Sequence, residues 1–426
     1  MPEDSFIIKG KSYKVRVASD SDKSHFESLW RICFNDTDSF IEWFFENRFF
    51  AEYSVCIECD GRIISAMQSM PVSLFIRTEQ IRSTIVAGVC THPDYRSLGL
   101  MKRMFSFYMH MIKSMDILAV TYKPENIKTY ASLSHFPTTR TLRYATRSAM
   151  PADSESLAHQ LLLDQIKALE DDEDDEDSRE NESFFTTDIS DLSVKHFNRC
   201  YDLYSELAPS YSGIIKRTKE NYNLKLSDYA SVGGKALLLL DNASLEAYCF
   251  YFETAGSLYG EEIIAESEDS LLNIVDQLHK IAQDRKLILK IPSNFSDIHE
   301  SNFPCTDSVF LVSQNVMGVT DLNEFIKGLD FSQYASDAQL SSFTFAVTDP
   351  VIKSNNNTYN LHGDITDDAP VISLCIGSFV QFLCGYYSIL EFEIQSEDTV
   401  KIHNREIAES IDDLIPKCNC FIVDEY

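Results

Sequence analysis

Arg96 and Gly99, three residues apart, form a pairing suited to holding an anion. They lie in Val89-Cys90-Thr91-His92-Pro93-Asp94-Tyr95-Arg96-Ser97-Leu98-Gly99-Leu100-Met101, where an apolar strand (Ile85 to Thr91) gives way to a short basic turn. Met101, Met104, Phe105, Tyr108, Met111, Ile112 and Met115 follow at the spacing of an amphipathic helix. The first N–H groups of a helix have no internal partner, so a helix starting at this turn offers donors to an anion. Gly99 lets the backbone approach a ligand and tolerates positive φ. Arg96 adds a charged fork suited to phosphate. Neither G-x-x-x-x-G-K-S/T nor G-x-G-x-x-G is present here, which excludes two common phosphate loops. The same residues also fit an ordinary strand–turn–helix corner with a surface arginine.

The pattern resembles motif A of the GNAT acyltransferases, R-x-x-G-x-G/A, which holds the pyrophosphate of coenzyme A. Arg96 and Gly99 match it, and Met101 replaces the second small residue. Tyr95 to Arg103, read as Y-R-x-x-G-L/V-L/M-x-R, is similar to the Eis (enhanced intracellular survival) branch of that superfamily. The resemblance implies acetyl-coenzyme A as cosubstrate and no metal. It implies Val89 and Thr91 around the pantetheine, Arg96, Ser97, Leu98, Gly99, Leu100 and Met101 around the pyrophosphate, and Cys90 and Asn126 among the other cofactor-binding residues. In that branch a tyrosine after the fifth strand is the proposed general acid for the leaving thiolate, and Tyr130 matches it. Packing a helix onto the sheet is the other role open to Tyr130. The expected strand before the motif carries no acid. Cys90 invites a covalent route, but an acyl-accepting thiol needs activation, and direct transfer is the expectation.

The 426 residues suffice for two to three domains with substantial cores. A formal charge of −29 argues against nucleic acid as partner, because phosphate binding needs Lys and Arg. It suits a cationic amine and suits solubility equally. No signal peptide is visible at Met1 to Ser5. The run Val371 to Leu390 carries too many polar residues for a membrane span and reads as a buried strand and helix. The eleven cysteines show no disulfide framework, and Cys56-x-x-Cys59 has no second pair at zinc spacing. Reduced thiols in a cytoplasmic protein are expected.

The fold class expected is α+β, in four segments. Residues 1–150 read as a catalytic GNAT domain. It has strands near Tyr13–Ala18, Tyr53–Glu58, Ile63–Phe75 and Gln80–Thr91, the motif helix, a strand over 116–122 and a short helix over 124–131. Ser39 is the expected cap of an aromatic helix, Phe40 to Asn47. Asp36, Trp43 and Phe44 are candidates to line the amine cleft, with core packing open for the aromatics. Residues 151–186 read as a helical pattern and an acidic linker, Glu170 to Asp177. Residues 187–307 resemble a second GNAT fold. Glu266-Ser267-Glu268-Asp269 stands where the phosphate turn would be, so this copy is expected to be degenerate. Residues 308–426 resemble the sterol-carrier-like domain of the Eis group, opening on a strand over Val309–Val316. Family members end in a similar tail, whose terminal carboxylate is the proposed base; here that group belongs to Tyr426. The function implied is acetyl transfer to a primary amine of aminoglycoside, polyamine or lysine type, by a homo-oligomer. A non-catalytic protein binding acyl-coenzyme A or lipid, or a scaffold, is the alternative.

Overall fold

A computed structural model describes residues 3–146, 182–241, 244–292, 306–313, 315–395 and 400–424. The acidic run, the helical pattern before it, and Glu425 and Tyr426 lie outside the described residues. Two compact units emerge: Met1–Thr141 with Ala208–Val232 and Ser313–Tyr426, and Leu142–Leu207 with Gly233–Val312.

The first unit begins with a hairpin, β1 (Glu3–Ile8) and β2 (Lys11–Val17), turned by Lys9 and Gly10 at positive φ. Helices α1 (Lys23–Cys33) and α2 (Asp38–Asn47) follow. Thr37, rather than the expected Ser39, caps α2 by accepting from the Phe40 N–H. Next come β3 (Val55–Cys59), β4 (Arg62–Ile76), β5 (Glu79–Thr91), α3 (Leu100–Lys113) and β6 (Ala119–Tyr122). The expected short helix over 124–131 is instead a pair of 3-10 turns, Ile127–Thr129 and Ala131–Leu133, ended by Ser134 at φ 54°. Asn126 opens them by accepting from the Lys128 N–H. Strands β7 (Phe136–Pro137) and β8 (Arg140–Thr146) continue the chain.

Strand β8 leads into the second unit, with β9 (Glu182–Asp188) and α4 (Val194–Leu207). The chain then contributes β10 (Tyr211–Ser212) and α5 (Lys219–Ser231) to the first unit. It returns for β11 (Lys235–Asp241), β12 (Ser244–Glu253), β13 (Ser257–Ala265), α6 (Glu268–Ala282), β14 (Lys286–Ile291) and β15 (Thr306–Ser313). The sheet order is β15-β8-β14-β13-β12-β11-β9. Strands β13 and β14 are parallel across α6, the arrangement β5 and β6 make across α3. The repeat differs at the helix start. Ser267 caps α6 with its own side chain, and Glu268 and Asp269 occupy its first turn.

The last segment returns to the first unit. Strand β16 (Val316–Val319) inserts between β6 and β7, giving the order β1-β2-β3-β4-β5-β6-β16-β7. Helices α7 (Leu322–Lys327) and α8 (Asp337–Ser342) lead to β17 (Phe345–Thr348), β18 (Thr358–Tyr359), β19 (Ile372–Cys375), α9 (Ile376–Leu383), β20 (Val400–Ile402), α10 (Arg405–Leu414) and β21 (Asn419–Cys420). The strand expected over Val309–Val316 is therefore split between the two units, at β15 and β16. One core joins α1, α2 and one face of β4 and β5 to Phe345, Phe379 and Phe382, whose rings stack. A second core lies between α3 and the other sheet face. Arg77 ties the halves together. The β4–β5 turn places Arg77 and Thr78 at positive φ without a glycine. The buried Arg77 guanidinium donates to the carbonyls of Phe382, Leu383 and Pro416, at the end of α9 and beside the tail. No helix among the described residues is long and apolar enough to cross a membrane.

Candidate active site

Strands β5 and β6 pair only from Ser83–Ala119 to Ile85–Thr121 and then part. Beyond Ile85, β5 keeps β4 on one side and leaves its other edge open. The β4–β5 register slips by one residue between Ala66–Cys90 and Gln68–Ala87. That extra residue is a bulge at Gly88, where φ is +57°. The bulge reverses the strand's alternation: Ile85 and Ala87 face the α1 core, Val86 and Val89 the α3 core, and Cys90 the α1 core again. Gly88 also lies against the indole of Trp30. A Cβ there would sit 2.1 Å from Trp30 Cζ3.

At the end of β5 the Thr91 carbonyl accepts from Arg96 Nε at 3.1 Å. His92 Nδ1 accepts from the Asp94 N–H at 3.3 Å and shapes the Pro93–Tyr95 turn. Ser97 and Gly99 both have positive φ. Gly99 is the N-cap of α3 and supplies no side-chain acceptor to its first donors. Arg96, Ser97 and Gly99 are exposed, Leu98 and Met101 half-buried, and Leu100 buried. The arrangement can hold a phosphate through backbone N–H groups and one guanidinium.

The gap between the parted strands is a cleft of about 490 Å³. One wall is Val86 to Val89. The opposite wall is Tyr122, Lys123, Glu125, Asn126, Thr129 and Tyr130, and Trp30, Phe34, Asp36 and Phe40 complete the lining. The Trp30 indole N–H donates to Asp36 Oδ2 at 2.8 Å and fixes that carboxylate at the cleft. Tyr130 is 8% exposed, its ring packed against Phe105 and Tyr122. Burial pushes its phenol up to about 12, with the Glu125 charge adding to it, so the hydroxyl stays protonated at neutral pH. Behind it the Tyr122 hydroxyl bonds His135 Nδ1 at 2.7 Å. Burial lowers that imidazole to about 3 and keeps it neutral.

The structure thus brings Val89, Asn126, Asp36 and Tyr130 to one cleft, with the Arg96–Met101 turn following from β5. It does not bring Trp43 and Phe44 there. Phe44 is fully buried beneath Trp30, ring centroids 4.8 Å apart, and the Trp43 indole N–H donates to Ser227 Oγ on α5. The face of α2 next to α1 is core, and the cleft aromatics on this side are Trp30 of α1, Phe34 just after it and Phe40 in the first turn of α2. Cys90 does not line the cleft. Trp30, Phe34, Phe40, Gly88 and Tyr122 went unanticipated. A glycine inside a strand pattern is the bulge signal that marks Gly88.

Tyr426 lies outside the described residues, but the tail before it is anchored. Strand β21 runs parallel to β10, and the Phe421 N–H donates to the Ser212 carbonyl. The buried Asp424 carboxylate pairs with the buried Arg217 at 3.0 Å.

The model of the acetyltransferase (GNAT) domain family matches residues 14–134, which hold every element of this cleft. No curated protein sequence matches the chain. Solved structures match over nearly its whole length. A probable N-acyltransferase from Enterococcus faecalis V583 is 13% identical, with a TM-score of 0.72, over 97% of this chain and 100% of the other. Eis1 from Mycobacterium abscessus is 11% identical, TM-score 0.70, over 97% and 100%. A GCN5-related N-acetyltransferase from Kribbella flavida is 12% identical, TM-score 0.68, over 98% and 99%. The chain therefore carries a GNAT acetyltransferase domain at residues 14–134 and shares its fold, end to end, with Eis1 and other N-acetyltransferase structures.

Proposed function

We propose that the protein moves an acetyl group from acetyl-coenzyme A directly to a primary amine. The observation that carries this reading is the fork of β5 and β6, which opens beside a protonated Tyr130 and leads to a helix start with no side-chain cap. The residues present fit the cosubstrate. Backbone groups of Val89 and Thr91 would pair with the pantetheine amides as a strand pairs with its neighbour, with Asn126 across the gap. The turn from Arg96 to Met101 would hold the pyrophosphate. The cosubstrate supplies an activated thioester.

This chain's residues do the rest. The Val89 N–H polarises the carbonyl that the amine attacks. Asp36 and Glu125 draw a cation towards the cleft, and the rings of Trp30, Phe34 and Phe40 offer faces to its charge and chain. Tyr130 donates a hydrogen bond to the departing thiolate, which a phenol of raised pKa does without ionising beforehand. The Tyr426 carboxylate, on the tail anchored by Asp424, takes the proton the amine nitrogen loses. The acceptor class is an aminoglycoside, polyamine or lysine-type amine. The test is turnover of acetyl-coenzyme A against a panel of primary amines, followed by thiol release. Amine-dependent thiol is expected, with turnover crippled by residues appended after Tyr426. No thiol with any polycationic amine would refute the reading.

A further inference from the structure

The acetyl-transfer scheme leaves Cys33 and Cys90 without a role. Cys33 is the last residue of α1 and is half-buried, while Cys90 on β5 is 6% exposed. Both side chains belong to the α1-side core, Cys90 within it and Cys33 packed against it. Cys33 Sγ also contacts the Thr91 carbonyl at 3.5 Å, the same oxygen that receives Arg96 Nε. Cys33 thus sits against the carbonyl that orients Arg96, one residue along the strand from Cys90. The Gly88 bulge puts Cys90 on this side, because unbroken alternation from Val86 would turn Cys90 toward α3.

We propose that Cys33 and Cys90 form a peroxide-driven disulfide switch that weakens the hold of the Thr91–Arg96 turn on its anionic ligand. The electrostatics agree with the geometry. The Cys90 S–H, donating to the Cys33 sulfur, and the Arg96 charge pull the Cys33 thiol well below its ordinary value. Sharing that proton and burial push Cys90 up. The pair holds its charge on the half-exposed sulfur, where a reactive thiolate with a resolving neighbour belongs. The Cys33 thiolate attacks the O–O bond of hydrogen peroxide, giving a sulfenic acid and hydroxide, which takes a proton. Cys90 sulfur then attacks Cys33 sulfur, forming the S–S bond and releasing water. Two thiols and one peroxide become one disulfide and two waters. The sulfurs must close to about 2.05 Å. The irregular backbone from Phe34 to Thr37, just after Cys33, can absorb that movement. Cys418 is half-buried too, but burial raises its thiol, and it serves as the internal control.

The disulfide itself is independent of the acetyl-transfer reading; only its effect on affinity rests on that reading. The test treats the full chain with dilute hydrogen peroxide, then maps cross-linked peptides by mass spectrometry and titrates acetyl-coenzyme A. The expected result is a loss of two mass units in a Cys33–Cys90 peptide, reversal by dithiothreitol, Cys418 still reduced, and acetyl-coenzyme A affinity lower by about tenfold. Cys33→Ser should keep its mass and show the same affinity before and after peroxide. The proposal is overturned if no Cys33–Cys90 peptide forms, if Cys33→Ser loses the same two mass units, or if the disulfide leaves a measurable affinity unchanged. A reduced protein that binds no acetyl-coenzyme A would defeat the proposed function and the affinity effect, while the peptide map would still decide the disulfide.

Discussion

Replacing Gly88 by alanine tests whether the bulge under Trp30 builds the cleft. Two costs can be worked from the structure. A side chain at φ +57° is strained by about 1 kcal/mol. The new Cβ would also lie 2.1 and 2.6 Å from Trp30 Cζ3 and Cε3 and 2.5 Å from the Gln68 amide. Trp30 cannot yield cheaply, since Phe34, Phe44 and Phe45 pack around it and Asp36 holds its N–H. Overpacking of this kind costs a further ~1–3 kcal/mol. Gly10→Ala is the matched control. Its φ is +80°, yet nothing lies within 4 Å of the new Cβ, so only the strain applies. The entropy an alanine removes from the unfolded chain is common to both and cancels. Urea unfolding of the two variants, at equal m-values, should therefore differ by ~1–3 kcal/mol. Only Gly88→Ala should also lose affinity for acetyl-coenzyme A. Equal stability losses would refute the packing argument, and unchanged affinity would refute the cleft assignment.

Three more outcomes follow from named contacts. Tyr130→Phe should lower kcat by about 10²-fold with little change in acetyl-coenzyme A affinity, read by thiol-release kinetics beside calorimetry. Arg77→Met strips the donors from three carbonyls and should cost ~2–5 kcal/mol in urea unfolding. The Arg16 guanidinium, with the Ser19 groups adding to it, holds Asp22 down to about 2. A depressed carboxylate stabilises above its unfolded value, and the gain is lost as pH falls through the folded one. Asp22→Asn should thus be less stable than the parent by about 1 kcal/mol at pH 7, with the gap closing between about pH 4 and pH 2.

The elements that carry the cleft were legible where periodicity and turn chemistry agree. The β4–β5 hairpin, the motif turn and α3 follow from alternation, Gly99 and the Met101–Ile112 stripe. Helix α5 escaped because its buried face includes Lys225 and Asp228, paired at 3.2 Å, which breaks any apolar stripe. The Pro124–Ala131 segment carried a helix start signal, but a single turn without a following apolar face settles as 3-10. The insertion of β16 beside β6 is a long-range pairing, and no local pattern encodes it. Trp43 and Phe44 failed as cleft residues because adjacent positions on a helix point to different faces, and sequence alone did not say which face meets α1. Trp30 was legible as apolar; its place over Gly88 depends on the bulge.

Calorimetric titration with acetyl-coenzyme A, on the parent chain and on Arg96→Ala combined with Gly99→Glu, asks whether the Arg96–Met101 turn holds the pyrophosphate. Gly99 has open space around its Cβ position, so the double variant adds the strain of a side chain at φ +73° without a clash and places a carboxylate at the start of α3. A saturable one-site heat is expected for the parent and none for the variant. No heat with the parent, or the same affinity in both, would contradict that role.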